Sequence, residues 1–496
     1  MMNGDLSSDS TRSLSPGISS LANLGNTCFL NSVLYTLRFT PGFCHNLHHL
    51  NSDLQNRLKL ENGKPKPDED RDNLVDVIHT LHHLFQKLCN SDGYKGDPKD
   101  PVLPSALLQS IGRLYPLFEG NQQQDAHELL VTLLTHLQDV KITGDLKPEV
   151  LPPPVEDKKS KKKNQQNGST NNLINALDAN CHNGTEKPGL AELKDTIPNP
   201  CNFVKEKFVG IGVMRTKCLE CECSTYKKEE FTNIDIPIQC DDDDEESGYN
   251  FFINRILASE TLRDVNKYWC SECSRLNEAQ RTVSYEVLPS VLVLQLKRFT
   301  TTSSRAFVSK LTDYIPTPLI MDCFCQKCRE RPGGPIHKYR LYSVILHLGA
   351  SLASGHYIAC VRAGDVNLDY FQCRRPGVVD PTLRNKNTKR GILKMFSKSN
   401  STPTEPQYNV SNPVCGSISC CGLKLNPSLT EERVGSSNGS DSGSRQSPGL
   451  VSDQDDIWLE CDDEQVSVIT RHQLEDLLAS RQSTTTPYLL FYNRIC

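Results

Sequence analysis

Two Cys-x2-Cys pairs, Cys218-Leu219-Glu220-Cys221 and Cys270-Ser271-Glu272-Cys273, constrain this chain most. Each pair places two sulfurs on one tight turn, and two such turns face to face make a tetrahedral S4 shell for Zn2+. The 48 residues between them, 222–269, exceed the spacing of an ordinary zinc ribbon. The chain must therefore run out from one knuckle and back to the other in strands, as a long finger. Four thiolates leave no open coordination position, so such a site is structural. A nucleic-acid-binding ribbon is the competing use. Its surroundings argue against it: Glu220, Glu222, Glu229, Glu230 and the run Asp241 to Glu246 are acidic, whereas phosphate binding needs the opposite sign. Cys223, beside a knuckle, reads as a spare thiol. Cys323, Cys325 and Cys328 form a separate cluster. It reads either as a second zinc site taking a fourth ligand from elsewhere or as a cysteine-rich loop of a reducing compartment.

The organisation around the finger follows from composition. At 496 residues the length prior is about three domains. Mean hydropathy is −0.47 and net charge −5, so no strong attraction to nucleic acid or an anionic membrane follows. No apolar run is long enough to span a bilayer. The polar residues 1–17 lack the apolar stretch of a signal peptide and read as a disordered tail. A reducing compartment is expected, with the 21 cysteines as thiols, zinc ligands or catalytic groups rather than disulfides. Residues 141–200, with Pro152 to Pro154, a lysine run from Lys158 to Lys163 and an Asn/Gln-rich stretch, read as a disordered insertion. The lysine run is either a nuclear import signal or a solvated charge cluster. Residues 376–452, rich in Ser, Asn, Gly and Pro, read as a second insertion. Removing tail and insertions leaves roughly 340 residues, enough for one composite α+β domain.

Within that domain, residues 18–140 are mainly helical. Leu74, Val75, Val77, Ile78, Leu81, Leu84 and Phe85 form one apolar stripe, and Ala126, Leu129, Leu130, Leu133, Leu134 and Leu137 another. Short strands follow. Val291 to Leu296 is a nearly unbroken apolar run, which predicts a strand buried on both faces. Further strands are predicted at Tyr342 to Leu348, His356 to Val361, Ile457 to Cys461 and Tyr488 to Tyr492, with a short helix at Leu474 to Leu478.

A second cysteine feature carries chemistry. In Gly25-Asn26-Thr27-Cys28-Phe29-Leu30-Asn31 a polar loop turns into a helix predicted over Cys28 to Phe39, stopped by Pro41 and Gly42. Asn26 and Thr27 are both suitable N-caps. Cys28 then sits in the first turn, where free N–H groups and the helix dipole favour a thiolate. Packing on an amphipathic helix is the competing use of that cysteine. A thiol nucleophile needs a base and a group that orients the base. His356, in Ser354-Gly355-His356-Tyr357, is the best-placed base, with His127 and His347 as weaker rivals inside apolar elements. Asp462 and Asp463 end a hydrophobic strand, and one of them can accept the imidazole N–H. A pair of aspartates after a strand is also an ordinary turn. The Asn23 amide and the Cys28 backbone N–H can both donate to an oxyanion.

Several boxes then occur in the order of the ubiquitin-specific proteases, and the chain resembles that family. They are Asn23 to Ser32, Glu119-Gly120 with Gln123-Gln124-Asp125-Ala126-His127-Glu128, the two Cys-x2-Cys pairs, Leu296-Lys297-Arg298-Phe299, Gly355-His356-Tyr357 and Asp462-Asp463. The resemblance covers residues 18 to 496 without the insertions. It implies a papain-like cysteine protease fold of α+β class, with a helical thumb at 18–140, fingers and the start of the palm at 201–300, palm at 301–375 carrying the catalytic His, and the end of the palm at 453–496. It also implies Cys28 as nucleophile, His356 as base, Asp462 as orienter with Asp463 sharing that role, Asn23 at the oxyanion, and structural Zn2+ on Cys218, Cys221, Cys270 and Cys273. The implied activity is thiol-dependent hydrolysis of ubiquitin isopeptide bonds. Particular phrases, among them LANLGNTCFLNSVL and TPYLLFY, imply nuclear DNA-repair substrates and a WD40-repeat activator docking on the fingers. Two departures stand out: Cys461 replaces the phenylalanine usual before the aspartates, and His127 stands where glutamine is frequent. A catalytically silent ubiquitin-binding scaffold is the alternative from another class.

Overall fold

The computed structural model describes residues 17–61, 69–92, 100–120, 122–139, 203–238, 248–301, 308–351, 354–363, 457–479 and 484–495. Both predicted insertions, and all of the predicted tail but Gly17, lie outside these residues, as does the lysine run. Contacts divide the chain into a main unit, 1–141 with 199–496, and a second unit, 142–198, that lies wholly outside the described residues. Among the described residues no helix is long and apolar enough to cross a membrane.

Helix α1 (Cys28–Phe39) is buried along its whole length. Its apolar face alone does not explain that burial, because Asn31, Ser32, Thr36 and Arg38 are buried as well. Each of these is hydrogen-bonded. Ser32 donates to the Phe29 carbonyl at 3.1 Å, and Thr36 pairs with Ser343 at 2.9 Å. Arg38 forms an ion pair with Asp92, the two side chains being 0% and 2% exposed. Asp92 also accepts the Ser19 N–H at 2.8 Å, so this pair clamps the chain before α1 onto the helix.

Against α1 pack α2 (Phe43–Glu61) and α5 (Ala126–Asp139), and α3 (Glu69–Ser91) packs in turn on α2 and on α4 (Ser105–Leu114). The two predicted stripes are the buried faces of α3, through Val77, Ile78, Leu81, Leu84 and Phe85, and of α5. A short helix α6 (Phe203–Phe208) was not legible in a region read as strands. It completes the thumb by setting Phe203 and Phe208 edge-on to the Phe43 ring, with centroids 5.5 and 6.3 Å away.

The finger sheet has the order β2 (Ser224–Phe231), β1 (Gly210–Cys218), β7 (Ala279–Val287), β4 (Glu260–Leu262). A hairpin of β5 (Tyr268–Cys270) and β6 (Arg275–Asn277) carries the second knuckle. The palm sheet contains β3 (Ile234–Ile236), β8 (Val291–Leu296), β12 (Lys338–Ser351), β13 (Ser354–Ala363), β14 (Ile457–Asp462), β15 (Gln465–Thr470) and β16 (Thr486–Ile495). Their order is β15-β14-β13-β12-β16-β8-β3, with β11 (Ile320–Asp322) paired to β12. All pairs are antiparallel except β3 with β8. Strand β8 is buried at every residue, as its apolar run predicts. A two-stranded hairpin of β9 (Phe299–Thr301) and β10 (Val308–Lys310) forms its own sheet, tied to β12 by Lys310 at the His347 and Gly349 carbonyls, and helices α7 (Gly248–Ile256), α8 (Gln326–Arg329) and α9 (Arg471–Ala479) complete the unit. Helix α1 lies against β12, β13 and β14, so the thumb meets the palm where the chain's first boxes meet its last.

Breaking the Arg38–Asp92 pair leaves one buried charge without its counter-ion. Arg38→Met is expected to lower unfolding stability by about 3–5 kcal/mol, measured by chemical denaturation. A loss under about 1 kcal/mol would place the pair among surface ion pairs in strength.

Candidate active site

The segment Asn23 to Thr27 is a tight turn with Gly25 at φ 97° and Asn26 at φ 55°. The Asn23 side-chain oxygen closes it, accepting the N–H groups of Gly25 at 2.9 Å and Thr27 at 3.2 Å. Thr27 occupies the N-cap position of α1, but its hydroxyl makes no cap bond to the helix. It turns back to accept the Leu24 N–H at 2.9 Å. The N-cap expected of Asn26 or Thr27 is thus spent on the loop, and first-turn N–H groups of a helix have no acceptor within the helix. Cys28 is the first residue of that turn and is 2% exposed.

His356 comes from β13, where it pairs with Leu348 of β12. Its Nε2 lies 2.6 Å from Asp462 Oδ1 and 4.0 Å from Asp463 Oδ2. Because Nε2 is engaged by Asp462, Nδ1 is the nitrogen left for the Cys28 sulfur. The neighbouring Cys28 thiol raises the imidazole most, burial opposes the rise, and Asp462 adds to it, so that it is pushed up to about 9. Gly355 is required beside it, since a Cβ there would meet the His347 ring and stand 2.6 Å from the Leu348 carbonyl oxygen. The Gly355 N–H donates to Gln123 Oε1 at 3.0 Å, which ties the start of β13 to the loop before α5.

The two aspartates sit differently. Asp462 ends β14, and Asp463 follows at φ 47° in the two-residue turn to β15, which pairs Asp462 with Gln465. The reading of the pair as an ordinary turn and the reading as a polar partner for His356 both describe it. Asp463 is 9% exposed and faces the Cys28 loop. Its Oδ2 accepts the Asn23 amide at 2.6 Å and its Oδ1 the Asn31 amide at 2.8 Å. Its carbonyl accepts the Tyr35 hydroxyl at 2.8 Å and the Leu21 N–H at 3.3 Å. One hydrogen of the Asn23 amide is therefore committed to Asp463. Asn31 and Tyr35 were not singled out for a role in sequence. The available signal was their position: they lie three and seven residues after Cys28, on its face of the helix.

The rival histidines stand outside this contact set. His347 is fully buried between Phe299 and Tyr357, with ring centroids 5.2 and 4.9 Å away. Burial first, then the nearby Lys310 and His356, push it down to about 3. His127 lies at the start of α5, and burial lowers it, opposed by Asp125 and Asn233. His356, Asp462 and Asp463 are close enough together to hold a cation. Both Asp463 oxygens are already filled by amide donors, which argues against that use.

In the fingers, Cys218 ends β1 and Cys270 ends β5. The four sulfurs of Cys218, Cys221, Cys270 and Cys273 lie within 4.8 Å of one another, with Cys221 and Cys270 3.5 Å apart. Asn277 donates its side-chain N–H to Cys218 at 3.4 Å, a contact of the kind that supports a thiolate ligand. The donor set fits a structural Zn2+.

Comparison with known proteins places the chain in a family. The family model described as ubiquitin carboxyl-terminal hydrolase matches residues 19–386. The chain is 27% identical over 345 residues to ubiquitin carboxyl-terminal hydrolase 12 of Salmo salar, covering 70% of this chain and 77% of that one. It is 26% identical over 344 residues to ubiquitin carboxyl-terminal hydrolase 4 of Arabidopsis thaliana, covering 69% and 80%. Among solved structures, the SAGA Ubp8/Sgf11/Sus1/Sgf73 DUB module bound to ubiquitin aldehyde is 17% identical with a TM-score of 0.48, over 97% of this chain and 70% of that chain. With the family model covering most of its length and a Cys–His–Asp contact at the junction of thumb and palm, the chain belongs to the ubiquitin carboxyl-terminal hydrolase family and is a deubiquitinating cysteine protease of the ubiquitin-specific type.

Proposed function

We propose that Cys28, His356 and Asp462 hydrolyse the isopeptide bond between the C-terminal glycine of ubiquitin and a substrate lysine. The observation that carries this reading is His356 held between the Cys28 thiol and the Asp462 carboxylate. The Cys28 thiolate attacks the glycine carbonyl. The second amide hydrogen of Asn23 and the Cys28 backbone N–H donate to the oxyanion, a donor of this kind contributing about 3 kcal/mol. Collapse of the tetrahedral intermediate expels the lysine amine, which takes its proton from the His356 imidazolium. Water then attacks the thioester while neutral His356 takes its proton, and the thiolate leaves. Asp462 fixes the imidazole tautomer. Asp463 shares the polar role indirectly, holding Asn23 and Asn31 so that the Cys28 loop keeps its shape. Cys218, Cys221, Cys270 and Cys273 hold one structural Zn2+ that ties the two knuckles together.

Within the family, the reading extends to ubiquitin-specific protease 1. The phrases LANLGNTCFLNSVL, RFTPGF, MRTKCLECE and TPYLLFY support it, as does the position of two long insertions. On that reading the substrates are nuclear, the monoubiquitinated sliding clamp and Fanconi anaemia proteins, and a WD40-repeat activator docks on the fingers. The lysine run at Lys158 to Lys163 supports the nuclear location.

Ubiquitin bearing a C-terminal thiol-reactive warhead is expected to form a covalent adduct with the parent and none with Cys28→Ala, read by intact mass. An unmodified parent, with a WD40 partner added, would leave only the scaffold reading.

The rate profile against pH tests the two aspartates. Both the thiol contact and Asp462 raise His356, so its proton is present at neutral pH and lost as pH rises through about 9. Asp462→Asn removes one raising charge and is expected to move the alkaline limb of kcat/KM to lower pH by about one unit or more. Asp463→Asn is expected to lower kcat/KM at every pH without moving that limb. An alkaline limb that shifts only with Asp463→Asn would reverse the two assignments.

Replacing Cys221 and Cys273 with serine is expected to remove about one zinc ion per chain, by metal analysis of the purified protein. Zinc content equal to the parent's would refute the finger site.

A further inference from the structure

Cys323, Cys325 and Cys328 follow β11, which pairs with the head of β12, and sequence left their fourth partner open. The chain leaves β11 at Cys323, makes the short helix α8 and turns at Gly333 and Gly334, which take φ 99° and 94°. Those left-handed values favour glycine and bring the chain back to His337, the residue before β12. The Cys323 N–H donates to the His337 carbonyl at 3.0 Å, closing the loop at its neck. The sulfurs of Cys323 and Cys328 and a ring nitrogen of His337 lie within 4.8 Å of one another. Cys325, three residues before Cys328 on the same knuckle and buried with them, is the further thiol of the cluster, its sulfur standing outside that 4.8 Å group.

We propose that Cys323, Cys325, Cys328 and His337 form a second structural zinc site, a Cys3His set distinct from the fingers. Three features support it. First, the distance from Cys328 Sγ to His337 Nδ1 is 3.7 Å. Two ligands of one tetrahedral Zn2+, at about 2.3 Å for sulfur and about 2.0 Å for nitrogen, stand about 3.6 Å apart. Secondly, backbone N–H groups point at the sulfurs: those of Ile336 and His337 at Cys328, and that of Cys325 at Cys323. Such donors stabilise metal-bound thiolates. Thirdly, all three cysteines are buried, at 3%, 7% and 3% exposure, in contact with one another. Three soft thiolates with one imidazole and no carboxylate select zinc over the hard cations.

The site has a mechanical consequence. Phe324, between two of the ligands, is buried and stands edge-on to Tyr285 of β7, with centroids 5.4 Å apart. Tyr285 in turn packs on Phe231 of β2 at 5.2 Å. The ion would therefore join the head of β12, the central palm strand, to the root of the finger sheet.

Metal analysis of the purified full chain tests this. The parent is expected to hold about two zinc ions, and Cys325→Ser with Cys328→Ser about one. The finger double variant is also expected to hold one, so failure of either site is seen separately. Because loss of two buried thiols can unfold the knuckle, the half-buried His337 provides milder variants. His337→Ala is expected to lose the ion on dialysis against EDTA, and His337→Cys to keep it as a four-thiolate site. A parent whose only zinc is lost in the finger variant, or His337→Ala and His337→Cys losing metal alike, would overturn the proposal.

Discussion

Asp463 is the point on which the site depends. Through four hydrogen bonds it joins a turn near the C-terminal end of the palm to Leu21, Asn23, Asn31 and Tyr35 at the other end of the chain. A buried carboxylate is costly unless its lone pairs are filled. Here two amides fill them, and hydrogen bonds to a charged group contribute about 1.5–3 kcal/mol each. The same contacts that make the buried charge tolerable also lock the loop before α1 against the palm. The positive φ at Asp463 helps, since it turns the residue out of the strand and toward α1 while Asp462 stays in register with Gln465 of β15.

This arrangement separates two tasks that adjacent carboxylates might be thought to share. Asp462, 2.6 Å from Nε2, acts on the imidazole directly. Asp463, at 4.0 Å, acts on the backbone that carries the sulfur. The separation follows from strand geometry. Successive residues of a strand face opposite ways, and a left-handed residue at the turn redirects the second without moving the first. Cys461, which replaces a more usual phenylalanine, is buried in β14 opposite Ala359, so the smaller side chain is matched by a small cross-strand neighbour.

Much of the fold was legible because hydrophobic period and burial agree. Helix α1 begins and ends at the predicted residues, and the run from Val291 to Leu296 is the fully buried strand its composition demands. Helix α6 was not legible, because six residues give too few turns to show a period. Cys28, His356 and Asp462 were legible because each pairs a reactive side chain with a local structural signal, a helix start, a glycine before a strand and a strand end. Asn31 and Tyr35 were hidden by the opposite circumstance. They lie within an apolar helix, and their polar groups acquire meaning only from an aspartate more than 400 residues away, its carboxylate for Asn31 and its backbone carbonyl for Tyr35. His337 was hidden likewise, since an eight-residue gap separates it from Cys328 and its closeness comes from the turn at Gly333 and Gly334.

The alignment of His356 with Cys28 is a property of packing rather than of the two side chains. Cys28 sits on a helix with no exposed residue, and His356 on a strand hydrogen-bonded on both sides. Neither element can shift without disturbing the core between them. The part of the site that reaches the surface is the turn from Asn23 to Thr27, whose Gly25 and Asn26 are exposed. Its shape rests on the Asn23 side chain, which accepts from Gly25 and Thr27 and donates to Asp463. Asn23 thus holds the loop before Cys28 with four bonds, the Thr27 hydroxyl being the fourth donor at 3.2 Å, and on the proposed mechanism it retains one hydrogen for a developing oxyanion. The residue assigned to transition-state stabilisation is also the residue that sets where the sulfur stands, and any contact that moved this loop would alter both at once.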